Sequence, residues 1–111
     1  MAGLACGEPC PDAWEILRRS ARFYASVPDR VAARGMRILG NPPGDDARIV
    51  SGESGASTLG FAAEVLLSPD PAMRAALRLD ADSRLLLIST EGDTDRENYR
   101  RVVWDGAYPS L

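Results

Sequence analysis

Four aliphatic residues in succession, Leu85 to Ile88, interrupt a chain whose other apolar positions mostly recur at helical spacing. Neither a helical nor an alternating period fits such a run. Ending as it does in polar turn residues, it reads as a strand of a parallel sheet covered on both faces. Its carboxyl end carries Ser89, Thr90, Glu91, Gly92, Asp93 and Asp95. Ligands of open α/β sheets sit just beyond the carboxyl ends of the strands. Ser89 and Thr90 therefore stand where a hydroxyl meets a ligand atom, and Gly92 lets the backbone turn closely. A plainer role for Asp93, Thr94 or Asp95 is to cap the next helix, and the two roles are compatible.

Taken in order, Met1 to Pro11 reads as a loop. Asp12 predicts an N-cap, with Glu15 completing the reciprocal capping pattern. Trp14, Leu17, Ala21, Tyr24 and Ala25 then mark the apolar side of a helix that ends before Pro28, with Arg18, Arg19 and Arg22 on its solvated face. Asp29 predicts the cap of a second helix with an apolar stripe of Val31, Ala32, Met36 and Leu39. Gly35 within it costs up to about 1 kcal/mol against alanine, which points to close packing there. Asn41 to Asp46 is a turn, and Arg48-Ile49-Val50 a short strand.

Ser51-Gly-Glu-Ser-Gly-Ala-Ser57 follows, a turn leading into a helix from about Ala56 to Leu67. A glycine-rich strand-to-helix turn exposes backbone N–H groups and favours an anion. This one lacks both the P-loop lysine and the dinucleotide fingerprint, and Glu53 would repel a phosphate. A turn that aims Glu53 at a cleft fits better. Ser68 to Pro71 breaks the chain, Ala72 to Leu79 is a short helix, and Asp95 to Trp104 is a last helix burying Tyr99, Val102 and Val103. The two strand segments and the helices between them make a βαβ unit with a right-handed crossover, hence an α/β class. Two short strands form a marginal sheet with exposed edges. The chain thus reads as one end of a larger α/β layer, unstable or prone to aggregate alone.

Composition narrows the chemistry more than it narrows the fold. The 111 residues amount to one small domain or part of a larger one, and the net charge of −3 argues against nucleic-acid and anionic-membrane partners. No apolar run approaches the roughly 20 residues that span a bilayer, and no signal peptide is recognisable at the start, so a cytoplasmic protein is expected. All 13 basic side chains are arginine, and histidine is absent. That removes the commonest general base, the commonest metal ligand and the amine used for Schiff bases; arginine stays protonated and cannot replace it. Cys6 and Cys10 supply two of the four ligands a structural zinc needs and read as free thiols. An acidic metal site at Glu91-Gly-Asp93-Thr-Asp95 lacks the full calcium-loop pattern, so no metal is assigned.

Several motifs carry a resemblance over essentially the whole chain: Met1 to Pro9, Trp14 to Leu17, Gly35-Met36, Leu39 to Pro42, Ser51 to Ala56, Ile88 to Asp95, Tyr99-Arg100 and Val103-Trp104. Together they closely resemble the carboxyl-terminal portion of the diaminopropionate ammonia-lyases, and more broadly the fold-type II pyridoxal phosphate enzymes such as threonine dehydratase. The resemblance implies a partial three-layer αβα sandwich of the tryptophan synthase β-like kind, spanning residues 1–111. It also implies a homodimeric enzyme converting 2,3-diaminopropionate to pyruvate and ammonia by α,β-elimination on pyridoxal 5'-phosphate. By the same resemblance Ser89, with Thr90 as the next candidate, meets the pyridine nitrogen, Glu53 lines the ring side of the pocket, and Gly52 and Gly55 leave room for the flat cofactor. The Schiff-base lysine, the catalytic acids and the phosphate loop of such enzymes lie earlier, and Met1 falls on an interior methionine of the family. No catalytic residue is therefore assigned to this chain, and it is expected to be inactive alone. The alternatives are a non-enzymatic module that binds another subunit by its sheet edge, and a fragment of a serine or threonine dehydratase-like enzyme.

Overall fold

Two helices in backbone contact set the frame. In the computed structural model, which describes residues 1–109, five helices follow a short 3₁₀ turn at Ala2–Leu4: α1 (Pro11–Ser20), α2 (Asp29–Gly40), α3 (Glu53–Leu67), α4 (Ala72–Leu77) and α5 (Arg96–Val103). Pro28 supplies the extended residue before α2, while Asp29 in its first turn and Arg37 in its last complement the helix dipole. Its inner face buries Val31, Ala32, Ala33, Gly35 and Met36 and meets α3 at Ala56 and Gly60. A Cβ added at Gly35 would stand 1.9 Å from the Ala56 carbonyl oxygen, and one at Gly60 would stand 1.9 Å from that of Val31. Each helix thus lays a glycine on the other's backbone, which accounts for the glycine expected to pack closely in α2.

The carboxyl-terminal helix closes the core from one end. Asp95 caps α5, its Oδ1 accepting from the Asn98 N–H at 2.9 Å, so the plainer of its two expected roles is real. Tyr99 and Val102 join Ala33, Met36 and Ala56 in one buried cluster, with Val103 partly buried beside it. Arg37 fastens the segment after α5: its guanidinium donates to the carbonyls of Val102 at 3.0 Å and Tyr108 at 3.2 Å, and also to that of Ala107.

Several expected boundaries and roles are corrected. Cys10, not Asp12, stands at the N-cap of α1 and makes no side-chain cap, while Glu15 pairs with Arg18 and Arg19 along the helix. That helix stops at Ser20, and Trp14 and Leu17 remain 46% exposed: its apolar side meets no other helix, Trp14 lying only beside the Tyr24 ring at 5.9 Å, so little tertiary packing supports a further turn. Asp29 lies inside α2 rather than capping it. Helix α3 begins at Glu53, three residues earlier than the composition of the turn suggests, and α4 ends at Leu77 with Arg78 in the left-handed region. Leu66 and Leu67, at the end of α3, are exposed.

The largest difference concerns the sheet. Among the described residues no strand forms, so neither the βαβ unit nor the αβα sandwich is present. A strand exists through ladder bonds to a neighbour, and among the described residues, positions 85–88 make no backbone–backbone hydrogen bond. Leu86 is 89% and Ile88 66% exposed. The backbone of the segment before α3 is tied by Ile49 N–H to the Leu39 carbonyl at 2.9 Å and by Gly52 N–H to the Glu91 carbonyl at 3.0 Å. No helix among the described residues is long and apolar enough to cross a membrane.

Candidate functional site

The start of α3 and the segment after Leu85–Ile88 meet through small residues. Ser89 Oγ lies 2.8 Å from Ser51 Oγ and 3.3 Å from the Glu91 carbonyl oxygen. Gly55 makes this possible, since a Cβ there would stand 2.7 Å from both Ser51 Oγ and Ser89 Cα. At Gly52 a Cβ would meet the Glu91 side chain at 2.6 Å and the Gly92 carbonyl oxygen at 2.7 Å. Both glycines therefore do leave room, but the chain's own 89–92 segment fills it. Their service is to seat Ser89 and Glu91 against α3, not to clear a slot for a flat ligand. Ser89 and Thr90 are on the exposed surface.

Glu53 sits apart from them. Its side chain is buried, 8% exposed, with Oε2 accepting from Gly3 N–H at 3.0 Å and Oε1 accepting from Asn98 Nδ2. It borders a cavity of about 430 Å³ whose wall also includes Gly52, Glu91, Asp93, Asp95, Glu97, Asn98 and Arg101. Ser89, Thr90 and Gly55 do not line that cavity. The expected residues thus fall into two groups either side of Gly52: a hydroxyl shelf facing outward and a carboxylate facing an acidic recess. Glu91 joins them, its backbone holding Gly52 and its Oε1 3.4 Å from the Ser54 N–H.

Two residues of this arrangement carry no role in the sequence alone. Asn98, which holds Glu53, lies 45 residues away from it, and Ser51, which holds Ser89, lies 38 residues away. A carboxylate buried at a helix start needs a donor, and an asparagine on a polar face, such as Asn98 in α5, is a neutral side chain able to supply it. Nothing comparable marks Ser51.

No protein-family model matches the chain. Individual proteins do. Diaminopropionate ammonia-lyase of Escherichia coli strain K12 is 56% identical over 109 residues, 97% of this chain, and that of Salmonella typhimurium is 47% identical over 110 residues, 96% of it. The chain matches the carboxyl-terminal part of diaminopropionate ammonia-lyase. It spans 27% of the length of these relatives. The Escherichia coli ammonia-lyase in complex with an aminoacrylate–PLP azomethine reaction intermediate superposes with a TM-score of 0.91 at 55% identity, over 98% of this chain and 29% of that one. The same enzyme in complex with D-serine gives 0.90 at 56% identity, over 97% and 28%, and its apo form gives 0.86 at 53%, over 93% and 28%. The chain thus takes the backbone course of the corresponding part of diaminopropionate ammonia-lyase, a pyridoxal phosphate enzyme.

The side chains fit one side of that cofactor and not the other. An exposed serine hydroxyl backed by a buried one suits a pyridine nitrogen, which takes a single hydrogen bond. The phosphate finds no such place: the first turn of α3, the natural anion site, is fronted by Glu53 and Glu91. With no lysine in the sequence, covalent attachment also falls outside this chain.

Proposed function

We propose that this chain forms the pyridine-ring side of the cofactor pocket of a diaminopropionate ammonia-lyase and is inactive by itself. The reaction consumes 2,3-diaminopropionate and water and releases pyruvate and two ammonia molecules. Bound pyridoxal phosphate supplies an electron sink once the α-proton departs. Ser89 offers its hydroxyl to the ring nitrogen, with Thr90 beside it; a neutral donor, unlike a carboxylate, does not hold that nitrogen protonated. Gly52 and Gly55 let Ser89 and Glu91 reach α3, and Glu53, held by Asn98 and Gly3, orders the border between that shelf and the recess. In the complete enzyme the Ile49–Val50 and Leu85–Ile88 segments are inner strands of an αβα sandwich, covered by the rest of a homodimeric, cytoplasmic protein.

The observation that carries this is the pairing of an exposed Ser89 hydroxyl with Ser51 over Gly55, in a chain so similar to the lyase. In the complete enzyme, Ser89→Ala is expected to retain the cofactor's visible absorbance while pyruvate release slows. Unchanged pyruvate kinetics would remove Ser89 from the ring.

A further inference from the structure

Of the two hydroxyls, only one faces outward, and the buried one decides what it presents. Ser51 is 0% exposed, and its Oγ stands 2.8 Å from that of Ser89, the ordinary distance for an O–H···O bond. One hydrogen occupies the space between the two oxygens, and the second is left over. If Ser51 carries it, its acceptor is the Gly52 carbonyl at 3.2 Å; if Ser89 carries it, the internal acceptor is the Glu91 carbonyl at 3.3 Å. Both distances lie beyond the usual range for hydroxyl donors, so neither internal partner holds the spare hydrogen firmly.

We infer that Ser51 is a positioning residue that makes Ser89 a donor toward the coenzyme's ring nitrogen. This rests on the proposed placement of Ser89 at that nitrogen. An acceptor presented to Ser89 from outside draws the spare hydrogen outward, and Ser51 then donates to Ser89, each bond polarising the other. Without the Ser51 hydroxyl, Ser89 loses the donor that polarises its O–H and holds its oxygen in place, so its bond to the ligand weakens. Gly55 is the third part, because any side chain there would push the two serines apart.

The test uses the complete lyase reconstituted with pyridoxal phosphate labelled with ¹⁵N in the ring. In Ser51→Ala the ring-nitrogen resonance is expected to move toward that of a pyridine without a hydrogen bond, by part of the displacement seen in Ser89→Ala. Cofactor affinity should fall between about twofold and tenfold, the worth of one neutral hydrogen bond. The double variant should move the resonance no further than Ser89→Ala alone. A resonance unmoved by Ser51→Ala but moved by Ser89→Ala overturns the role of Ser51, even if melting changes. A resonance unmoved by Ser89→Ala places the fault in the assignment of Ser89 itself. Should Ser51→Ala fail to fold, Ser51→Cys, with its weak S–H donor, gives the same readout. A partial displacement then supports the role, and none overturns it.

Discussion

Adding one methyl group at Gly60 tests the crossing on which the chain's core depends. Propensity alone makes alanine the better residue by about 1 kcal/mol in a helix interior, so an isolated α3 would gain from Gly60→Ala. The structure opposes this, because the new Cβ would lie 1.9 Å from the Val31 carbonyl oxygen and 2.8 Å from its carbon. Carbon and carbonyl oxygen rest at about 3.3 Å or more, and the obstacle is backbone, so the helices must separate by an ångström or so. Overpacking of a core costs about 1–3 kcal/mol, and an unyielding neighbour takes the upper end. Less the propensity gain, the net loss is about 2 kcal/mol, or roughly thirtyfold in the opening equilibrium. Hydrogen exchange resolved by peptide should show the amides of α2 and α3 exchanging about thirtyfold faster in Gly60→Ala. Gly92→Ala is the control: a Cβ there meets nothing within 4 Å, and its protection should be unchanged. Equal or slower exchange in Gly60→Ala would mean that the helices do not touch at that residue.

Asp95→Ala removes the side-chain cap of α5 and should cost about 1 kcal/mol. It should appear as faster exchange at the first turn of α5, and no change there would rule out the cap. Arg37→Ala leaves the carbonyls of Val102, Ala107 and Tyr108 without their shared donor. A loss of about 2–3 kcal/mol is expected, with faster hydrogen exchange at the Asp105 and Ala107 amides that hold this segment to α5; Arg37→Lys should recover only part of it, since one ammonium cannot span three acceptors. Asp80 is held below the usual carboxylate range, chiefly by the Ser83 hydroxyl and then by the Asp82 N–H. A depressed carboxyl contributes to the 80–83 turn above its unfolded titration range and loses that contribution as pH falls through its folded value. Titration followed by carbon NMR should show a low Asp80 midpoint that rises toward normal in Ser83→Ala; an unmoved midpoint would discount the hydroxyl.

What could be read in advance followed from local rules, and what could not depended on partners distant in sequence or outside the chain. Gly35 stood out because glycine is costly amid a strong amphipathic stripe. Gly60, its counterpart, sits between Leu59 and Phe61, where nothing in the pattern marks it. Asp95 followed from capping chemistry. The start of α3 was misplaced because Ser-Gly-Glu-Ser-Gly has the composition of a turn. What turns it into helix is tertiary: Gly52 and Gly55 must be small to receive the 89–92 segment, and Glu53 gains from the dipole at a helix start.

The apolar run at Leu85–Ile88 shows the same limit from the opposite side. Its composition marks an apolar surface that this chain leaves uncovered, but strand geometry belongs to a pair of segments and not to one. Among the described residues the run therefore stays unpaired, although its carboxyl end is still held in place. Ser89 and the Glu91 backbone reach α3 through bonds that need no sheet. The hydroxyl shelf is thus set by the helical frame through Gly52 and Gly55, and pairing of the run with a further segment would add cover and stability but not its geometry. On this ground Gly55→Ala should disturb ring-nitrogen contact in the complete enzyme more than a conservative Leu86→Val change in the run itself. The reverse order would mean that the sheet, not α3, positions Ser89.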